Sequence, residues 1–178
     1  MISREILFKT MKEQGKIIAQ NIQDKSHTLS GTELNSEMHF IPEFIAAKTH
    51  QNMLTRKSGM TDGFVCKSSA GRIVRLLQNY DSDVYTDEPE MLPAQWGFVW
   101  SKDIAHARPF IALSTSPYMI GDCCIENGST YRSVIDNNVY APSSYPQGWE
   151  MCEQHDEYKE EETNYEINEE IIENTEEG

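Results

Sequence analysis

Two stretches of the chain carry the same features in the same order, and this repeat constrains the fold more than any bulk property does. The first runs from Val65 and Cys66 through Gly71 to Val74 and Arg75, then through a polar loop to Pro93 and Trp96. The second runs from Cys123 and Cys124 through Gly128 to Tyr131 and Arg132, then through a shorter loop to Pro146 and Trp149. In each unit short β-rich runs flank a turn glycine, the pattern of a hairpin. Asn127-Gly128 is the stronger signal, because both central residues of a type I′ turn need positive φ. From turn glycine to tryptophan the units span 25 and 21 positions, so the loop holds the difference in length. The expected fold class is mainly β. It comprises two small tandem β-hairpin or three-stranded modules, at residues 59–101 and 116–152, with a connector at 102–115.

Residues 1–24 read as an amphipathic helix with Ser3 as its N-cap. Leu7, Met11, Ile18 and Ile22 share one face, flanked by Ile6 and Ile17, and Gly15 weakens the middle by up to ~1 kcal/mol. A lone helix of this length is marginal in water, so its stripe needs a partner. That partner is either the helix's own domain or another copy of the chain, in a short coiled coil serving oligomerisation or anchoring. Residues 25–58 read as an irregular linker, with a turn at Ser30-Gly31-Thr32, a break at Pro42 and a short helix over 43–55. The formal charge of −14 lies mostly at the other end. Residues 153–178 hold twelve acids and one base, while the remaining 152 residues hold 17 acids and 14 bases. With few large apolar residues, that tail is expected to be disordered.

Charge and motif content exclude several function classes. A pI near 4.7 argues against a phosphate-binding surface, so no nucleic-acid partner is expected. No apolar run approaches the ~20 residues of a membrane helix, and the first residues lack the features of a signal peptide, so neither membrane insertion nor secretion is expected. Gly-x-Ser-x-Gly, Walker and His-Glu-x-x-His motifs are missing, and the acidic pairs Asp81/Asp83 and Asp87/Glu88 sit in a polar loop. The chain is therefore expected to be non-catalytic and to need no cofactor. His27, His39 and His50 have no ligand spacing. Adjacent cysteines on a strand face opposite sides, so Cys123 and Cys124 do not share a metal, and no metal site is expected. Cys66, Cys123, Cys124 and Cys152 read as free thiols acting as small hydrophobes, with a Cys123–Cys152 or Cys124–Cys152 disulfide as the alternative under oxidising conditions.

In the second unit Tyr118, Gly121 and Asp122 are followed by Asn127-Gly128 and Tyr131, then Asn138, Tyr140, Pro142, Tyr145, Pro146 and Trp149. This series resembles the chitin-binding type-3 family of carbohydrate-binding modules, well over 116–152 and more loosely over 63–100. Similar modules occur in secreted chitinases and in virion proteins of phages that infect Gram-positive bacteria. The absence of an enzyme domain resembles the phage setting. The resemblance implies a virion location, with bacterial surface polysaccharide and other virion proteins as partners. The pattern departs from the family at Tyr140, where many members carry Trp, and in the first unit, which has Val74 in place of Tyr131 and an acidic insertion at 81–90. Sugar recognition needs flat aromatic faces with hydrogen-bonding neighbours. The expected carbohydrate-binding residues are accordingly Tyr140, Tyr145, Trp149, Asn138 and Gln147, with Trp96 as a second-site candidate. A structural virion protein whose modules dock other proteins is the competing reading.

Overall fold

The structure, a computed structural model, describes residues 4–55 and 64–154. Ser3 and residues 155–178 lie outside the described residues, and with them the expected N-cap and most of the acidic tail. Helix α1 spans Arg4–Lys25 and is followed by two short helices, α2 (Gly31–Ser36) and α3 (Phe44–His50). Strands β1 (Val65–Lys67), β2 (Ile73–Leu76) and β3 (Trp96–Phe98) form an antiparallel three-stranded sheet in the order β1-β2-β3. Strands β4 (Arg108–Pro109), β5 (Cys123–Glu126), β6 (Ser129–Ser133) and β7 (Trp149–Gln154) form a second sheet in that order, with β4 parallel to β5 and the rest antiparallel.

The repeat holds residue by residue in the pairing. Cys66 faces Val74 and Val65 faces Arg75 in the first sheet, as Cys124 faces Tyr131 and Cys123 faces Arg132 in the second. Each tryptophan opens its third strand opposite the residue after the arginine, Trp96 against Leu76 and Trp149 against Ser133. Both turn glycines take the left-handed conformation, φ 73° at Gly71 and 72° at Gly128, and Asn127 joins the latter at 49°.

The expectation of a mainly β chain needs correction. Among the described residues about 35% are helical and 20% are strand. The strands are two to six residues long, and the linker at 25–58 holds, besides α3 where a short helix was expected, the further helix α2 and two 3₁₀ turns. Ser30, read as a turn residue, is the N-cap of α2. Its hydroxyl accepts the Glu33 N–H, and the Glu33 carboxylate accepts the Ser30 N–H and O–H, closing a capping box. The Ser30-x-x-Glu33 spacing carried that signal.

The helices complete the first sheet's core. Side chains along β1 and β2 alternate between two faces. Val65 and Ile73 pack with Ile22 of α1, Leu34 of α2 and Ile41 on one side. Cys66, Val74 and Leu76 pack with Phe44 and Ala47 of α3, Met53, Tyr80, Leu92 and Trp96 on the other. The Gln23 amide donates to the Val65 carbonyl and accepts the Val65 N–H, pairing with the edge of β1 as a strand would.

The segment expected to be a connector supplies β4, and contacts from it and from the residues flanking it join the two sheets. Trp100 stacks on Tyr118 with ring centroids 4.2 Å apart, and its indole N–H donates to the Ser116 carbonyl. Arg72, immediately before β2, donates to the Pro109 carbonyl, while Arg108 donates back to the Gly71 carbonyl. This reciprocal arginine clasp joins the hairpin turn of one unit to the edge strand of the other.

Candidate functional site

The loop between β6 and β7 carries four of the five residues expected to contact sugar and Trp149 opens β7 directly after it, and the structure divides them. Asn138 is fully buried. Its backbone pairs in both directions with Tyr118, and its amide donates to Ser133 Oγ and the Gly148 carbonyl at 3.1 Å each. Its amide oxygen accepts the Tyr140 N–H. With both amide hydrogens committed and the whole side chain buried, Asn138 organises the loop and does not meet a ligand. Trp149 is 7% exposed, packs against Tyr118 and Phe110, and donates its indole N–H to the Tyr140 carbonyl. Trp96 is buried in the first core, edge-on to Phe44 and Tyr80, with its N–H on the Tyr80 hydroxyl. These three side chains lie where no sugar ring reaches a face.

Tyr140, Tyr145 and Gln147 remain at the surface. Tyr140 is 59% exposed and Tyr145 37%, their centroids 5.7 Å apart and their planes tilted by 53°. The pair forms an angled corner. Its support is rigid: Asn138 and Trp149 hold Tyr140 from below. The Glu126 carboxylate accepts the Ser143 N–H and O–H at 2.7 and 3.0 Å, tying the loop tip to the end of β5. A side chain at Gly148 would meet the Tyr145 ring at 2.7 Å, so the absence of one lets that ring lie against the backbone. The exposed apolar residues Met119, Ile120 and Val134 belong to the same unit, and hydrogen bonds join Ile120 to Asp136 and Val134 to Gly148, inside or beside the loop. Nothing in the sequence marks these positions, because isolated apolar residues in a loop have no periodicity.

Asp122 belongs to the motif that carries the family resemblance, and it closes the turn before β5 by accepting the Met119 N–H. Burial raises its carboxyl above the ordinary aspartate value, and the Met119 N–H and the Lys102 charge only partly offset that. Between the ordinary and the raised value the folded chain holds a proton that the unfolded chain does not, so stability rises as pH falls through that window. Asp122→Asn keeps the acceptor and removes the charge. The variant is expected to be more stable than wild type at about pH 7, with the gap closing by about pH 4, as read by urea titrations at both pH values. A gap independent of pH would mean that Asp122 is not the group responsible.

The cysteines are all free. Cys123 and Cys124 lie on β5 and Cys152 on β7, with β6 between them. Two strand spacings put their Cα atoms about 9–10 Å apart, beyond the roughly 7 Å that a disulfide spans, so neither pairing considered from sequence fits this fold. Burial pushes the thiols of Cys123 and Cys124 up, which keeps them protonated. Among the described residues, no group of three His, Cys, Asp or Glu side chains stands ready to hold a metal ion.

A separate cleft of ≈490 Å³ opens between α3 and the acidic loop of the first unit, lined by Phe44, Ile45, Lys48, Thr49, Asp83, Thr86 and Glu88. Asp81 and Asp83 both accept from the Asn52 amide, and the Asn52 bond to Asp81, with the Asp83 N–H, holds the Asp81 carboxyl below its ordinary range. The acids thus fasten the loop to the end of the helical segment.

Comparison with known proteins identifies no relative: no family model, no curated protein and no solved structure matches this chain.

Proposed function

We propose that the chain is a non-catalytic carbohydrate-binding accessory protein, a virion component of a phage of Gram-positive bacteria that contacts surface polysaccharide. The observation that carries this reading is the Tyr140–Tyr145 corner, two exposed rings on a loop pinned from within, with the Gln147 amide exposed close by in sequence. The sugar C–H faces pack on those rings, and Gln147 hydrogen-bonds a hydroxyl. Asn138 and Trp149 act as supports. The test is a pulldown on purified cell walls and a glycan array with Tyr140→Ala/Tyr145→Ala, whose expected loss of affinity is on the order of tenfold. Equal binding by wild type and variant, or no binding by either, would sink this reading. Trp149→Ala is a poor probe, because it empties a core position.

The competing reading, a structural virion protein whose β modules dock neighbouring proteins, is favoured by one observation. The two rings do not make a flat platform, and Met119, Ile120 and Val134 expose apolar surface on the same unit, as a protein-docking face does. A particle in which Tyr140 is protected from solvent by a neighbouring subunit would support it.

A further inference from the structure

We propose that two copies of this chain associate through α1, as an antiparallel helix pair centred on its first three turns. The last turn of α1 is fixed to the body by Ile22 and the Gln23 bonds, yet upstream of it Leu7, Phe8, Met11 and Ile18 are 54, 73, 64 and 37% exposed. Scattered apolar residues on a surface need no explanation, whereas a continuous stripe on one helix marks an interaction face. Arg4, Phe8, Met11, Gly15, Ile18 and Ile22 follow one another at alternating spacings of four and three, the seam of a coiled coil.

The occupant is a second copy because the seam complements itself in one direction. Parallel pairing would set Phe8 on Phe8 and Arg4 on Arg4, with an empty layer between two Gly15 residues. In the antiparallel register Phe8 meets the second copy's Met11 in two equivalent layers. Arg4 then lies across the second copy's Gly15, where the chain offers nothing within 4 Å of a Cβ. The same register brings Glu5, exposed and at the seam's edge, beside the second copy's exposed Lys12, and the twofold axis makes that ion pair twice. It also stops the incoming helix short of Ile22, where the body begins. Sliding one heptad further would set Lys12 against Lys12 and drive Arg4 into the body.

About twelve residues overlap, or about 18 Å of helix, a small contact beside the roughly 800 Å² per partner of a standard interface. Association is accordingly weak, and the full chain is to be followed by sedimentation equilibrium from about 10 to 500 µM. The expected result is a monomer–dimer equilibrium, lost in Met11→Lys and weakened in Phe8→Ser. Glu5→Lys and Lys12→Glu should each weaken dimerisation about tenfold, and the double reversal should return it to within about threefold of wild type. All four side chains are exposed, so the body's fold is independent of them. A wild type that stays monomeric across the range overturns the proposal, and so does one that floats with anionic vesicles without dimerising. A double reversal that stays weak overturns the antiparallel register.

Discussion

Tyr118→Ala is expected to cost about 3–5 kcal/mol, the range of aromatic truncations in a packed core. Tyr118 is 1% exposed and stacks with Trp100 on one side and Phe110 at 5.4 Å, while Trp149 meets it edge-on at 5.3 Å. Truncation therefore opens a cavity between the two sheets, since Trp100 comes from the first unit and Trp149 from the second. The hydroxyl contributes separately: it accepts the Ile111 N–H at 3.3 Å, and burial pushes its pKa well up, so it stays neutral. Tyr118→Phe keeps the stack and is expected to lose only about 0.5–1.5 kcal/mol. Chemical denaturation followed by tryptophan fluorescence checks both. A loss below about 1 kcal/mol in Tyr118→Ala would mean that the stack is not what joins the units.

Arg72→Ala is expected to cost a similar amount, about 3–5 kcal/mol, for an electrostatic reason. The Arg72 and Glu90 side chains are 10 and 16% exposed and meet at 3.3 Å, with Ser68 Oγ donating to the same carboxylate oxygen at 2.6 Å. The other Glu90 oxygen and the Arg72 Nε are buried without a hydrogen-bond partner, so this pair already carries incomplete compensation. Removing the guanidinium leaves a buried carboxylate with no counter-charge and takes away the donor to Pro109. Replacing both partners, Arg72→Met with Glu90→Gln, should recover most of the loss, because neither charge is then buried. Equilibrium unfolding of the two single variants and the double variant measures the coupling. A double variant as unstable as Arg72→Ala would place the cost in the lost Pro109 contact.

Much of the β framework was legible because it rests on local rules. Gly71 and Gly128 sit at turns whose dihedrals disfavour a side chain, and two-residue periodicity then assigns Val65, Cys66, Val74 and Arg75 to opposite faces. The capping box at Ser30 and Glu33 is equally local, but it stands in a segment without strong apolar periodicity to mark a helix after it. The site was legible only as a segment. Composition placed aromatic and amide side chains in the loop before β7, but five polar or aromatic residues within a dozen positions look alike in one dimension. Which of them face water depends on where Tyr118 and Phe110 arrive from elsewhere in the chain.

The amino-acid order alone determined the two hairpin units, their turns, the amphipathic helix and the position of the acidic charge. All of these follow from dihedral preference, side-chain periodicity or simple counting over neighbouring residues. The tertiary structure decided that the helices help to form the first core, that 102–115 contributes a two-residue strand and one side of a clasp, and that Trp96, Trp149 and Asn138 point inward while Tyr140 and Tyr145 do not. Each of those outcomes depends on contacts between residues far apart in the chain. Burial and hydrogen-bond satisfaction are properties of the assembled core, and a buried amide or indole can be told from a surface one only after the groups that surround it have come together.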